Sequence, residues 1–251
     1  MPFDYDLHIN SVPSTGPRTV ICFHGHGGNY MMADHLRALN VTDSTLVGFN
    51  FPDYDLQTRI YDPSKAAFGT LREILPAIYV LKCYVIDQGL NSIDLYGRSA
   101  GGGALINLIA VLNTSMGDEE LKQIGVGLKE KKQLLQAIQN GMIILDVPLK
   151  SVEEIIDLRG SSTELELLAK SYRDHHLRPL DTLQHLKGLS LNIILYFEEE
   201  DEVIFNRDDA LYIERLKNAN RLGSTSVVIG REGGHQTLHL LPWQIYEKNK
   251  K

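Results

Sequence analysis

Cysteine is scarce, with only Cys22 and Cys83 in 251 residues. Two thiols cannot form the disulfide framework of a small secreted domain, and both sit among apolar neighbours, where cysteine usually acts as a small hydrophobe. A reducing compartment is the expectation. Basic charge is also short: 25 Lys and Arg against 32 Asp and Glu leave a net charge of −7. No segment gathers the cations that a phosphate backbone demands, so nucleic acid is not an expected partner. Long apolar runs are missing too. The longest, Ile74 to Ile86, contains Pro76 and Lys82, which argues against a membrane span. The opening MPFDYDLHIN carries acids where a signal peptide needs a basic region ahead of an apolar one. These absences together predict a soluble, cytoplasmic protein.

What the chain does have is enough apolar side chain, 43% of residues, to build one large core. Its length suits a single α/β domain spanning 1–251. Short apolar runs alternate with longer segments of helical spacing, the pattern of a parallel sheet covered by helices on both faces. The strands are expected at Arg18 to Phe23, Ser44 to Phe49, Ser92 to Tyr96, Met142 to Leu145, Leu191 to Phe197 and Ser226 to Ile229. Helices are expected at Tyr30 to Leu39, Ser64 to Gly89 with a kink at Pro76, Ala100 to Leu112, Asn206 to Asn220 and Pro242 to Lys250. Two segments, 113–140 and 150–188, exceed a minimal crossover and are candidates for helical insertions or a small cap over a site.

Chemistry concentrates at the ends of these strands. Gly97-Arg98-Ser99-Ala100-Gly101 lies between a predicted strand and a predicted helix. A sharp turn there would expose the Ser99 hydroxyl at the sheet edge, with glycine needed on both sides to avoid the neighbouring chain. A phosphate-binding loop shares this setting but fits poorly. The dinucleotide pattern needs glycine where Ser99 stands, and a Walker loop needs lysine where Gly103 stands. His24-Gly25-His26-Gly27-Gly28 follows the first of these strands, and its backbone amides suit a developing oxyanion, with Ala100 and His26, or Gly27 in place of His26, as the candidate donors. His24 and His26 also raise a zinc alternative, although the further ligands of such a site are absent from the adjoining residues.

Two more elements complete the set. Glu198-Glu199-Glu200-Asp201-Glu202 follows a late strand, and Gly233-Gly234-His235 follows the last one. The glutamates Glu198, Glu199 and Glu202 read as a solvated loop. Asp201 stands apart because Ser99, Asp201 and His235 occur in the order Ser, Asp, His, each at the end of a different strand. Asp146, closing MIILD, is the competing acid, and His239 is the fallback base.

With HGHGG, GRSAGGG, EEDEV and GGH in this order, the chain from residue 18 to 251 resembles the α/β-hydrolase superfamily. More narrowly it is similar to small carboxylesterases, thioesterases and lysophospholipase-like hydrolases. The resemblance implies an open, mostly parallel sheet with helices on both faces. It also implies Ser99 as nucleophile, Asp201 as acid, His235 as base, and an oxyanion hole from His26 and Ala100. The segment before Arg18 is too short for two leading antiparallel strands, and FDYDLHI offers at most one. The expected activity is cleavage of a small-molecule carboxylic ester or thioester through an acyl-enzyme on Ser99, without a metal or other cofactor. The alternatives are a binding protein that keeps the scaffold without turnover, and a zinc-dependent hydrolase using His24 and His26.

Overall fold

The computed structural model describes residues 5–52, 54–55, 60–61, 69–151, 177–204 and 208–250. Its main sheet has seven strands: β1 (Ile9–Val12), β2 (Thr19–Phe23), β3 (Thr45–Phe49), β6 (Asp94–Arg98), β7 (Ile143–Asp146), β8 (Asn192–Glu198) and β9 (Ser224–Gly230). They lie in the order β1-β3-β2-β6-β7-β8-β9. Within this sheet only β1 runs antiparallel to its neighbour; β3, β2, β6, β7, β8 and β9 pair in parallel. Among the described residues one strand precedes Arg18, as expected of a trimmed edge, but it lies at Ile9–Val12, beyond most of the FDYDLHI segment in which it was sought. A separate antiparallel pair, β4 (Tyr54–Asp55) and β5 (Ile60–Tyr61), lies in the β3-to-β6 connection.

The helices are α1 (Met32–Ala38), α2 (Leu71–Lys82), α3 (Ala100–Leu112), α4 (Asp118–Gln123), α5 (Leu128–Gln139), α6 (Pro179–Thr182), α7 (Asp209–Ala219) and α8 (Leu241–Asn249). Side chains alternate across each strand, which sorts the apolar residues into two layers. Ile21, Phe23, Leu95, Leu145 and Leu195 pack with residues of α2, α3 and α5. Val20, Cys22, Tyr96, Ile144 and Ile194 pack with Ala33 and Leu36 of α1 and with Trp243 and Tyr246 of α8. Every residue of α3 is buried, as befits a helix whose side chains are apolar except for Asn107, which donates to the Leu177 carbonyl and accepts from the Thr182 hydroxyl.

Several boundaries shift from the sequence expectation. The helix awaited from Ser64 starts, among the described residues, at Leu71, where the Thr70 side chain accepts a hydrogen bond from the Glu73 N–H at 3.3 Å. Pro76 lies inside α2, and a wider π-helical turn at Cys83–Asp87 carries it to Gly89, whose φ of 77° ends it. Segment 113–140 forms α4 and α5. The end of α5 joins the amino ends of β6 and β7, with the Ile93 N–H donating to the Ala137 carbonyl. Of segment 150–188, residues 152–176 lie outside the described residues.

The carboxyl ends of β2, β6, β7, β8 and β9 therefore line one edge of the sheet. Close approach there depends on glycine. A Cβ on Gly101 would lie 2.2 Å from the Phe23 carbonyl oxygen and 2.5 Å from that of His24. Backbone on the neighbouring strand cannot yield that space. Gly101→Ala is expected to lower unfolding stability by about 1–3 kcal/mol, read as the shift in a urea midpoint; an unshifted midpoint would contradict the packing described.

Candidate active site

β6 runs straight into α3, and the turn between them is Ser99, with φ 51° and ψ −121°. A non-glycine residue in the left-handed region stores strain and persists only where its surroundings hold it. Here the Ser99 N–H donates to the Asp146 carbonyl at 2.9 Å, and the Ser99 carbonyl accepts from Gly102, Gly103 and Leu149. Gly97 is obligatory beside it, since a Cβ there would meet the Gly101 carbonyl oxygen at 2.8 Å. The next strand end carries a second strained residue, Val147 with φ 42°, which its sequence did not announce.

The structure brings Ser99, His235 and Asp201 together. His235 Nε2 lies 2.9 Å from Ser99 Oγ, and His235 Nδ1 lies 2.7 Å from Asp201 Oδ2. All three side chains are largely shielded from water. Asp201 also accepts the backbone N–H groups of Val203 and Ile204, at 2.8 and 2.7 Å. Burial works to raise the Asp201 pKa, but the hydrogen bonds from His235, Ile204 and Val203 outweigh it and hold the carboxyl below its ordinary value. An ionised Asp201 fixes Nδ1–H toward itself and leaves Nε2 to accept a proton from Ser99.

The loop that delivers His235 is held rather than loose. Gly233 and Gly234 have φ of 114° and 76°, a backbone that side chains resist. The His235 N–H donates to Glu202 Oε2 at 2.9 Å, and this bond lowers the Glu202 pKa. Arg98 donates to the carbonyls of His235 and Thr237. A residue inside the serine turn thus clamps the histidine turn.

Gly25 packs beside Ser99, with a Cβ there only 3.4 Å from Ser99 Cβ, and His26 follows it directly. Ala100 opens α3, so its N–H has no acceptor within the helix. His24 is otherwise engaged: Nδ1 lies 2.8 Å from the Gly25 carbonyl, and Nε2 accepts the Phe51 N–H at 3.3 Å. Burial drives its pKa down to about 4. With both ring nitrogens committed, His24 has no lone pair to offer zinc. Among the described residues no group of three or more His, Cys, Asp or Glu could hold a metal ion.

Two expectations are corrected. Asp146, the competing acid, pairs with His239 at 2.6 Å and not with His235. Glu198 is not a solvated loop residue. β8 extends through it, it is 1% exposed, and it accepts from the Tyr196 hydroxyl and the Glu232 N–H, each at 2.7 Å. Arg98 and the anchoring role of Glu202 were not foreseen. Their proximity to Ser99 and Asp201 in the chain was the available signal, but their partners lie on a distant loop.

No sequence-family profile matches the chain, and no curated protein matches it. Solved structures do. Est1E from Butyrivibrio proteoclasticus, with ferulic acid bound, superposes with a TM-score of 0.60 at 14% identity, covering 96% of this chain and 93% of that one. An esterase from Exiguobacterium antarcticum gives 0.56 at 13% identity, covering 96% and 93%. The monoacylglycerol lipase of Paleococcus ferrophilus gives 0.55 at 11% identity, covering 92% and 91%. The chain has the α/β-hydrolase fold. Identities this low carry the architecture alone. Within the α/β-hydrolase fold of this chain, Ser99, Asp201 and His235 occupy the ends of β6, β8 and β9. Among the described residues no helix is long and apolar enough to cross a membrane.

Proposed function

We propose that the protein is a serine hydrolase that cleaves a small-molecule carboxylic ester or thioester through an acyl-enzyme on Ser99. The observation that carries this reading is the continuous hydrogen-bonded line Ser99–His235–Asp201 behind a strained serine turn. His235 takes the Ser99 proton as Oγ attacks the acyl carbonyl, then returns it to the departing alcohol or thiol. A water molecule, deprotonated by the same imidazole, attacks the acyl-enzyme; the acyl–Oγ bond breaks, the imidazolium returns the proton to Ser99 Oγ, and the carboxylic acid leaves. The backbone N–H groups of His26 and Ala100 receive the negative charge on the tetrahedral oxygen. The scheme draws on side chains and water, with no cofactor. The names of the structural neighbours, esterases and a lipase, agree with this class.

A panel of acyl esters and thioesters from about two to sixteen carbons tests it, run beside Ser99→Ala and with a chelator. Turnover that needs Ser99 and survives chelation is the expected result. A panel on which the wild type is inert would favour a binding protein on the same scaffold, and chelator-sensitive turnover would favour a metal enzyme.

A further inference from the structure

Behind the His235 turn lies a second histidine–carboxylate pair that the proposed mechanism leaves unused. The side chains of His239 and Asp146 are both fully buried, with His239 Nδ1 2.6 Å from Asp146 Oδ1. On the other side of the ring, Nε2 lies 3.1 Å from the carbonyl oxygen of Gly234, the residue before His235, and 3.6 Å from Glu198 Oε2. Both ring nitrogens thus face acceptors. A neutral imidazole has one N–H and one lone pair, so one of these contacts would set a lone pair against oxygen; an imidazolium donates to both.

We propose that His239 is a positioning residue, a buried imidazolium held by Asp146 that pins the Gly234 carbonyl and so keeps His235 in reach of Ser99. This role rests on the reading of Ser99 and His235 as nucleophile and base. The groups around His239 are consistent in charge. Tyr96 and Arg98 on β6 face Asp146 on β7: the Tyr96 hydroxyl donates to Asp146 at 2.7 Å, and Arg98 Nε lies 3.8 Å from it. Tyr196 and Glu198 come from β8, with Glu232 and Glu202 on the flanking loops. Two cations, Arg98 and His239, therefore stand against the carboxylates of Asp146 and Glu198, and tyrosine hydroxyls fill further acceptor sites of both.

Burial works against the His239 charge, but the hydrogen bond and charge of Asp146 outweigh it and raise its pKa above the ordinary histidine value. A raised value keeps the clamp closed at lower pH and releases it as pH rises through the folded-state value. Turnover is therefore expected to fall on the alkaline side as His239 loses its charge.

Nitrogen-15 NMR of histidine-labelled full-length protein is the direct test. His239, assigned by its absence in His239→Gln, is expected to show two protonated ring nitrogens at pH 7. The same variant is expected to lose about tenfold to a hundredfold in kcat, with KM little changed and the alkaline limb gone. Asp146→Asn keeps the shape and removes the charge, and is expected to move that limb toward neutral pH by about one unit or more. It also serves if His239→Gln does not fold. A neutral His239 at pH 7 in an active enzyme, unaltered kcat in His239→Gln, or an unmoved limb in Asp146→Asn overturns the positioning role alone. An imidazolium in a wild type that turns over no ester defeats the catalytic reading, and the positioning role with it.

Discussion

Alanine at position 99 is expected to reduce ester turnover by a factor on the order of 10⁴ or more, with the fold preserved. The substitution removes one atom, the Oγ that stands 2.9 Å from His235 Nε2. The backbone at φ 51° is as strained for alanine as for serine, so the folded state gains no new cost at the turn. The amides of His26 and Ala100 and the substrate contacts remain, which leaves a small residual rate above water. Steady-state kinetics on p-nitrophenyl butyrate, with a thermal melt of each protein, reads both quantities. Turnover within tenfold of wild type at an unchanged melting temperature would remove Ser99 from the chemistry.

Asp201→Asn is expected to cost about 10³- to 10⁴-fold in kcat. Its carboxylate accepts from three donors, the His235 ring and two backbone N–H groups. An asparagine can satisfy those backbone donors with its carbonyl oxygen and turn its NH₂ toward His235 Nδ1. That contact favours the tautomer with the proton on Nε2, where it cannot accept the Ser99 proton. The same residue has a signature in stability. Its folded-state pKa lies below the ordinary 3.8, so its contribution is present above that value and is lost as pH falls through the lower, folded one. The wild-type advantage over Asp201→Asn in a denaturant titration should therefore shrink on acidification below about pH 4. Asp146→Asn is expected to cost less in kcat than Asp201→Asn, because Asp146 contacts His239 and Arg98 and reaches His235 only at second hand, through the backbone carbonyls that those two side chains hold. Equal losses, with equal shifts of the pH profile, would mean that the two acids act on one histidine.

The strands were legible because a parallel sheet buried on both faces writes itself as short, continuous apolar runs, as in TVICF and NIILYF. α3 was legible to the residue because the serine turn fixes where it can begin. Ser99, Asp201 and His235 were legible for a related reason. A strand end is a place where the chain must turn, and glycines at 97, 101, 233 and 234 mark turns that other residues would obstruct. What the sequence hid was pairing across the edge. Arg98 meets a carbonyl 137 positions away, and no local pattern specifies that partner. Glu198 looked like one more acid in a charged loop, yet register sets it opposite Gly230 at the end of β9 and beneath a covering turn. Asp146 and His239 each looked like a substitute for a member of the Ser99 line. Only the register that puts Arg98 beside Asp146, and Asp146 beside Tyr196, shows them forming a pair of their own.

Covalent capture tests the central claim most directly. The native protein is treated with a fluorophosphonate at neutral pH, digested, and the adduct located by mass spectrometry, with His235→Ala treated in parallel. A single adduct on Ser99, formed rapidly by wild type and barely at all by His235→Ala, is the result that an activated serine requires. An adduct on another residue, or equal labelling of Ser99 in both proteins, would contradict it.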